Sequence, residues 1–270
     1  MNKGQIDKLK TWFDRYVAGF YGDDGYVNAN LKLKEVHSRR VCQEMQYLAG
    51  ELALEPDRAR LAEAIALLHD VGRFEQFVKY RTYNDPRSVD HSRLALEVLR
   101  GHNVLEQLEQ REMTLVEKAI EYHGLKALPD GLDGELALFC RLIRDADKLD
   151  IYRVVADNYQ SFHRDPAGFV LEVELPDEPG YSREVVEDIL HERPTDYSRL
   201  RTLNDMKLLQ LGWVFDINFD ATLRRIKQRG FLEMICGFLP QTDDTNAVRR
   251  KVFSYVDARI GTNHAERKGK

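Results

Sequence analysis

Apolar positions recur at three- and four-residue spacing from the first residues to about Asp157, with few alternating stretches. That is the period of helices with one buried face, so the pattern predicts an all-α core. The first helix should turn Ile6, Leu9, Phe13 and Val17 inward, and the cluster Tyr21-Gly22-Asp23-Asp24-Gly25 should break it. A second helix is predicted from about Leu31 to Leu52. A third, from about Asp57, should end near Gly72, where a left-handed glycine commonly closes a helix. A long loop is expected next, with Tyr83-Asn84-Asp85-Pro86 as its turn. Further helices should begin near Asp90 and Thr114, with Gly101-His102-Asn103 between them, and another should cover about Gly134 to Asp157. The loop that opens at Gly124 contains Pro129-Asp130-Gly131, a second turn signal.

The texture changes after Asp165-Pro166. Phe169 to Leu175 alternates with period two until Pro176 and Pro179 stop it, which predicts a small β-strand or hairpin near 169–176. Helical spacing returns at Ser182, with Gly212, Gly230 and Pro240 as punctuation. The expected organisation is an N-terminal helix over 1–29 packed on a core over 30–165, a mainly helical extension of the same domain over 166–263, and a flexible basic tail over 264–270.

Composition narrows the function classes. Hydrophobic residues at 43% and charged residues at 31% are ordinary for a globular chain, and a net charge of -5 gives no reason to expect a nucleic-acid polymer or a membrane as partner. Cys42, Cys140 and Cys236 are odd in number, far apart and free of CxxC spacing, so neither a disulfide framework nor a thiolate zinc site is expected, and a reducing cytoplasm fits best. Asp7 and Asp14 interrupt any apolar stretch at the amino terminus, so no signal-peptide core is expected there. No segment is apolar for long enough to span a bilayer. The apolar helices near Leu208, Leu211, Phe215 and Phe231 are candidates for a cap over the core, a pocket wall or a homodimer interface.

Against this background, five ionisable side chains interrupt apolar stripes. His37 falls in the series Leu33, His37, Val41, Met45, and His69 in Leu61, Ile65, His69. His123 follows Val116 and Ile120, while His91 opens its helix on the side of Ala95 and Val98. Asp147 sits in the middle of Phe139, Ile143, Asp147, Ile151 and Val154. An unpaired buried carboxylate costs several kcal/mol, so Asp147 calls for a cation beside it. For any one of these residues a satisfied core histidine or a buried ion pair is the plain alternative. Five together are better explained by convergence, since neutral imidazole and carboxylate are the ligands of zinc, iron, manganese or nickel.

With these residues in view, the chain resembles a known family. His37, the doublet His69-Asp70, and Asp147 within Arg144-Asp145-Ala146-Asp147-Lys148-Leu149-Asp150 are similar in order and interval to the H, HD and D motifs of the HD superfamily of metal-dependent phosphohydrolases. The resemblance covers roughly residues 30 to 157. It implies a helical HD core in which His37, His69, Asp70 and Asp147 hold one divalent ion, and Asp70 bridges to a second held by His91 and His123. The ions expected are drawn from Fe, Mn, Ni, Zn, Co and Mg. The glycine-tyrosine-proline motif of cyclic-di-nucleotide phosphodiesterases is absent. The run Leu68 to Phe77, with Asn84-Asp85 and Asp90-His91-Ser92, is similar to a bacterial subgroup described only as predicted phosphohydrolases.

The implied reaction is hydrolysis of a small phosphorylated metabolite or nucleotide by a metal-activated water. Asp70 is the candidate to orient that water and Arg73 to grip phosphate oxygens, with Lys79, Arg81 and Lys148 as weaker substrate-binding candidates. For these basic residues, solvated surface charge is the competing account. Two other functions fit the same ligand set: a di-iron oxygenase that cleaves a small organic substrate, and a non-catalytic nucleotide-binding module.

Overall fold

A computed structural model of the chain describes residues 1–164 and 175–267. It is all-α, with no strand among the described residues. The alternating segment near 169–176 falls almost entirely on 165–174, outside the described residues, and its last two residues, Leu175 and Pro176, have irregular backbone. The helices are α1 (Lys3–Ala18), α2 (Gly25–Glu51), α3 (Pro56–Leu68), α4 (Gly72–Tyr80), α5 (His91–Gly101), α6 (Gln110–His123), α7 (Gly134–Arg164), α8 (Arg183–Leu190), α9 (Leu203–Gly212), α10 (Asp220–Gln228), α11 (Phe231–Gly237) and α12 (Asp243–Arg267). By their contacts the residues form two compact units, Met1–Asp150 and Ile151–Lys270. None of the helices is long and apolar enough to cross a membrane.

In the first unit, α3 is the central element. It packs on α1, α2 and α6, while α4 packs on α2 and α5, and α5 on α6. Leu61, Ile65 and Leu68 of α3 are buried, as are Ile6, Leu9, Phe13 and Val17 of α1. Removing each large apolar side chain from water contributes about 1.5–3 kcal/mol, and this burial holds a helix as short as α3 in place. The breaks are chemically specified. Asp24 caps α2 by accepting from the backbone N–H groups of Tyr26 and Val27, and Asp90 caps α5 through that of Arg93. Asn103 and Gly131 take left-handed backbone where the two breaks were expected.

Two local expectations fail for identifiable reasons. Leu33 is 58% exposed rather than on the buried stripe of α2. A four-residue step advances about 40° around a helix of 3.6 residues per turn, so three steps carry Leu33 about 120° from Met45 and off the buried face. The second concerns Gly72, which opens α4 and does not close a helix before a loop. His69 and Val71 keep right-handed helical dihedrals, so the chain turns between α3 and α4 without a left-handed residue. Gly72 is required by proximity: an added Cβ would lie 2.5 Å from the His91 carbonyl oxygen and 2.6 Å from the Ala95 nitrogen. With Phe74 and Phe77 buried behind it, α4 presses onto the start of α5.

The second unit joins the end of α7 to α8–α12. Tyr152 and Tyr159 both donate to Gln210, at its backbone oxygen and its side-chain oxygen. The buried Asp205 carboxylate accepts from Ser182, Arg201 and Thr202, tying the start of α8 to the start of α9. The three cysteines are buried free thiols.

The close approach at Gly72 predicts that Gly72→Ala costs about 1–3 kcal/mol, the usual penalty for overpacking a filled core. Equilibrium denaturant unfolding should show this as a lowered midpoint, and an unchanged midpoint would contradict the stated reason for the glycine.

Candidate metal centre

Four of the six side chains of the centre stand where their local structure ends or turns. His69 is the C-cap of α3 and Asp70 follows it in the turn before α4. His91 is the first residue of α5 and His123 the last of α6. His37 and Asp147 project from the interiors of α2 and α7. All four histidines and Asp70 are buried, whereas the Asp147 side chain keeps 19% of its exposure. Arg144 of α7 donates to the backbone oxygens of His123 and Leu125, so the last carbonyl of α6 and one just beyond it are satisfied by a buried cation.

The four imidazoles are turned the same way. Nδ1 of His69 lies 2.8 Å from the Ala66 oxygen and Nδ1 of His123 lies 2.7 Å from the Ile120 oxygen. A carbonyl only accepts, so both Nδ1 atoms carry the proton and donate it. Nδ1 of His37 is 2.8 Å from Asp150 Oδ2, and Nδ1 of His91 is 2.5 Å from Asp85 Oδ2. Every Nε2 therefore faces inward. Imidazoles held by a backbone or carboxylate oxygen at one nitrogen are oriented to ligate through the other.

Asp70 divides the cluster. Its Oδ2 lies 3.6 Å from His37 Nε2 and 3.8 Å from His69 Nε2, and Asp147 Oδ1 lies 3.1 and 3.8 Å from the same two nitrogens. Its Oδ1 lies 3.7 Å from His91 Nε2 and 3.9 Å from His123 Nε2. Two groups of donors thus share one carboxylate, one group on each oxygen.

The residues fit a metal ion. His69 Nε2 is buried without a hydrogen-bond partner, which leaves an aimed lone pair with nothing to receive it. The two nitrogens His91 Nε2 and His123 Nε2 are 3.1 Å apart. Nitrogens about 2.1 Å from a common ion, at angles between octahedral and tetrahedral, stand roughly 3.0–3.4 Å apart. Without an ion, one of these two imidazoles must hold an extra proton to avoid lone pair facing lone pair.

Electrostatics agree with a cation-seeking site. Burial works against the Asp70 charge, but Lys34, His69, Arg73 and His91 outweigh it and hold the carboxyl well below its ordinary range. Burial likewise opposes the Asp147 charge, and the hydrogen bond and charge of His37 with that of His69 keep it ionised. Burial alone would deprotonate His37, yet its bonds to Asp147 and Asp150 raise it to about 9. Burial, with His91 and His69 nearby, lowers His123 to about 3, the direction a neutral ligand needs.

The family model described as HD domain matches residues 35–152. Over these residues the chain is similar to an HD domain. Such domains bind divalent metals and belong to a family of metal-dependent hydrolases. The matched span of the HD domain includes all six converging side chains, from His37 to Asp147. No curated protein and no solved structure matches the chain.

The other residues expected at the site separate into two groups. Arg73 is at the cluster: its Nε is 3.5 Å from Asp70 Oδ1, and its Nη1 donates to Gln76, the Tyr83 oxygen and Asp85. Lys148 is half-buried beside Asp147 on α7. Lys79 is exposed over the Tyr80 ring, and Arg81 is exposed and paired with Asp24, so the structure does not gather them with the six. Sequence reasoning missed Lys34, whose Nζ is 3.0 Å from Asp70 Oδ2, and the orienting carboxylates Asp85 and Asp150. Their signals were present: Lys34 and Asp150 lie one helical turn from His37 and Asp147, and Asp85 sits in the turn motif before His91.

The orphaned His69 nitrogen predicts that divalent ions stabilise the chain. At free Mn²⁺ a hundredfold above its dissociation constant, the gain should be about 2.7 kcal/mol. A thermal unfolding titration should show the rise in the native chain and its loss in His69→Ala; an equal rise in both would contradict the assignment.

Proposed function

We propose that the chain is a metal-dependent phosphohydrolase that acts on a small phosphate ester or nucleotide, using two divalent ions held by His37, His69, Asp70, His91, His123 and Asp147. The observation that carries this reading is the division of Asp70, with Oδ2 toward His37 and His69 and Oδ1 toward His91 and His123. When bound, such an ion pair lowers the pKa of water from about 16 toward 7 and screens phosphate charge.

The chain's own residues have the following parts. Asp70 accepts a hydrogen bond from the attacking water and aligns it. Lys34 and Arg73 flank the two Asp70 oxygens, at 3.0 and 3.5 Å, and supply positive charge to a phosphoryl group above the pair. Arg73 is held for this by Gln76, Tyr83 and Asp85, so its guanidinium is oriented before substrate arrives. Asp147, the most exposed member of the cluster, marks the side from which substrate enters. The buried histidines exclude bulk water from the far side.

The test is phosphate release by Mn²⁺- or Mg²⁺-loaded protein across mono- and diphosphate esters, nucleotides and dinucleoside polyphosphates. His69→Ala should lose metal and activity together, and Arg73→Ala should lower kcat about 10²–10³-fold, as expected for removing an electrostatic clamp. Silence across the panel with metal bound sinks the reading. Substrate-dependent oxygen uptake that requires iron would replace it with the oxygenase.

A further inference from the structure

The two halves of the centre are built alike but anchored differently. In each, one histidine is oriented by a carbonyl of its own helix, His69 by Ala66 and His123 by Ile120. The other is oriented by a carboxylate: His37 by Asp150 and His91 by Asp85. Asp150 is fully buried on α7, whereas Asp85 lies in the loop between α4 and α5 with 29% of its side chain exposed.

That loop is fastened from below. The two N–H bonds of the buried Gln76 amide are shared among Asp85 Oδ1 at 2.9 Å, Ser88 Oγ at 2.8 Å and the Val89 oxygen at 2.9 Å. Arg73 Nη1 donates to Asp85 Oδ1 at 2.7 Å. One Asp85 oxygen thus receives two fixed donors, and the other receives Nδ1–H of His91. Asp85 functions here as an acceptor on both sides.

We infer that Asp85 is a positioning residue that selects the His91 tautomer and so controls occupancy of the second ion. The inference rests on the two-ion reading above. Its physical content lies in what an amide would do at this place. Asn at 85 has one oxygen and one NH₂ group. Turning the NH₂ toward Arg73 and Gln76 sets donor against two donors, one of them charged, so the oxygen goes there and the NH₂ faces His91. Nδ1 must then accept, and the His91 proton moves to Nε2, where it points at the second ion's place and removes the ligand lone pair. An alanine at 85 imposes no tautomer. The closer mimic in shape is therefore the more damaging change.

The experiment is a Mn²⁺ titration of the full chain, with bound ions counted by electron paramagnetic resonance of free Mn²⁺, for the native protein, Asp85→Asn and Asp85→Ala. Outer carboxylates of this kind set metal affinity by 10–100-fold. Asp85→Asn should weaken the second ion about 100-fold and Asp85→Ala about 10-fold, while the first ion changes less than about twofold in both. Nitrogen-15 shifts of His91 in the metal-free proteins should report a protonated Nδ1 in the native chain and an unprotonated, accepting Nδ1 in Asp85→Asn. If Asp85→Asn does not fold, Asp85→Ala carries the test. A second ion bound normally by either variant overturns the inference, as does a larger loss in Asp85→Ala, which would mark a packing role. A native chain that never takes a second ion overturns this inference and the two-ion reading together; one that takes two, with unaltered variants, overturns only this one.

Discussion

Four buried nitrogens that carry lone pairs are turned toward one buried carboxylate, and the first unit is organised by the cost of that arrangement. Each outward nitrogen is spent on a fixed acceptor: Ala66, Ile120, Asp150 or Asp85. None of the rings can rotate to relieve the inward crowding without breaking that bond. Acceptors that face acceptors in a poorly solvated space repel, and only positive charge among them reverses the sign. Protons can do part of this, and the bonds of His37 to Asp147 and Asp150 raise its pKa to about 9. The orphaned Nε2 of His69 shows what protons do not satisfy.

The helices explain how the sequence can hold such a cluster. A histidine that caps α3 or ends α6 can reach back to the carbonyl three residues earlier because its ring leaves the helix there. The turn His69-Asp70-Val71 stays right-handed, so α4 starts at once and packs its glycine against α5. This contact places the start of α5, and with it His91, next to the end of α6. Apolar burial across α1, α2 and α3 supplies the free energy that offsets the polar convergence at its edge.

Most of this was legible in the chain. The phases of Leu61, Ile65, His69 and of Val116, Ile120, His123 survive intact, because three- and four-residue steps over two turns remain on one face. The same rule over three equal steps misplaced Leu33. Gly72 reads as a stop and so hides α4, because a glycine needed for close approach looks the same in sequence as one needed for left-handed backbone. Asp85, Asp150 and Lys34 are harder to read for a different reason: each acts by meeting a partner from another element, and spacing within one helix places Lys34 and Asp150 beside the site without naming the partner each meets. In the second unit Asp205 meets Ser182 and Gln210 meets Tyr152 and Tyr159, partners likewise remote in the chain.

The central claim is that Asp70 serves two cations, one on each carboxylate oxygen. Crystals of the full chain soaked in Mn²⁺ and measured for anomalous scattering test it most directly. The account predicts two peaks, one among Asp70 Oδ2, His37, His69 and Asp147 and one among Asp70 Oδ1, His91 and His123. No peak at Asp70 with Mn²⁺ saturating, or a single peak touching only one of its oxygens, would contradict it.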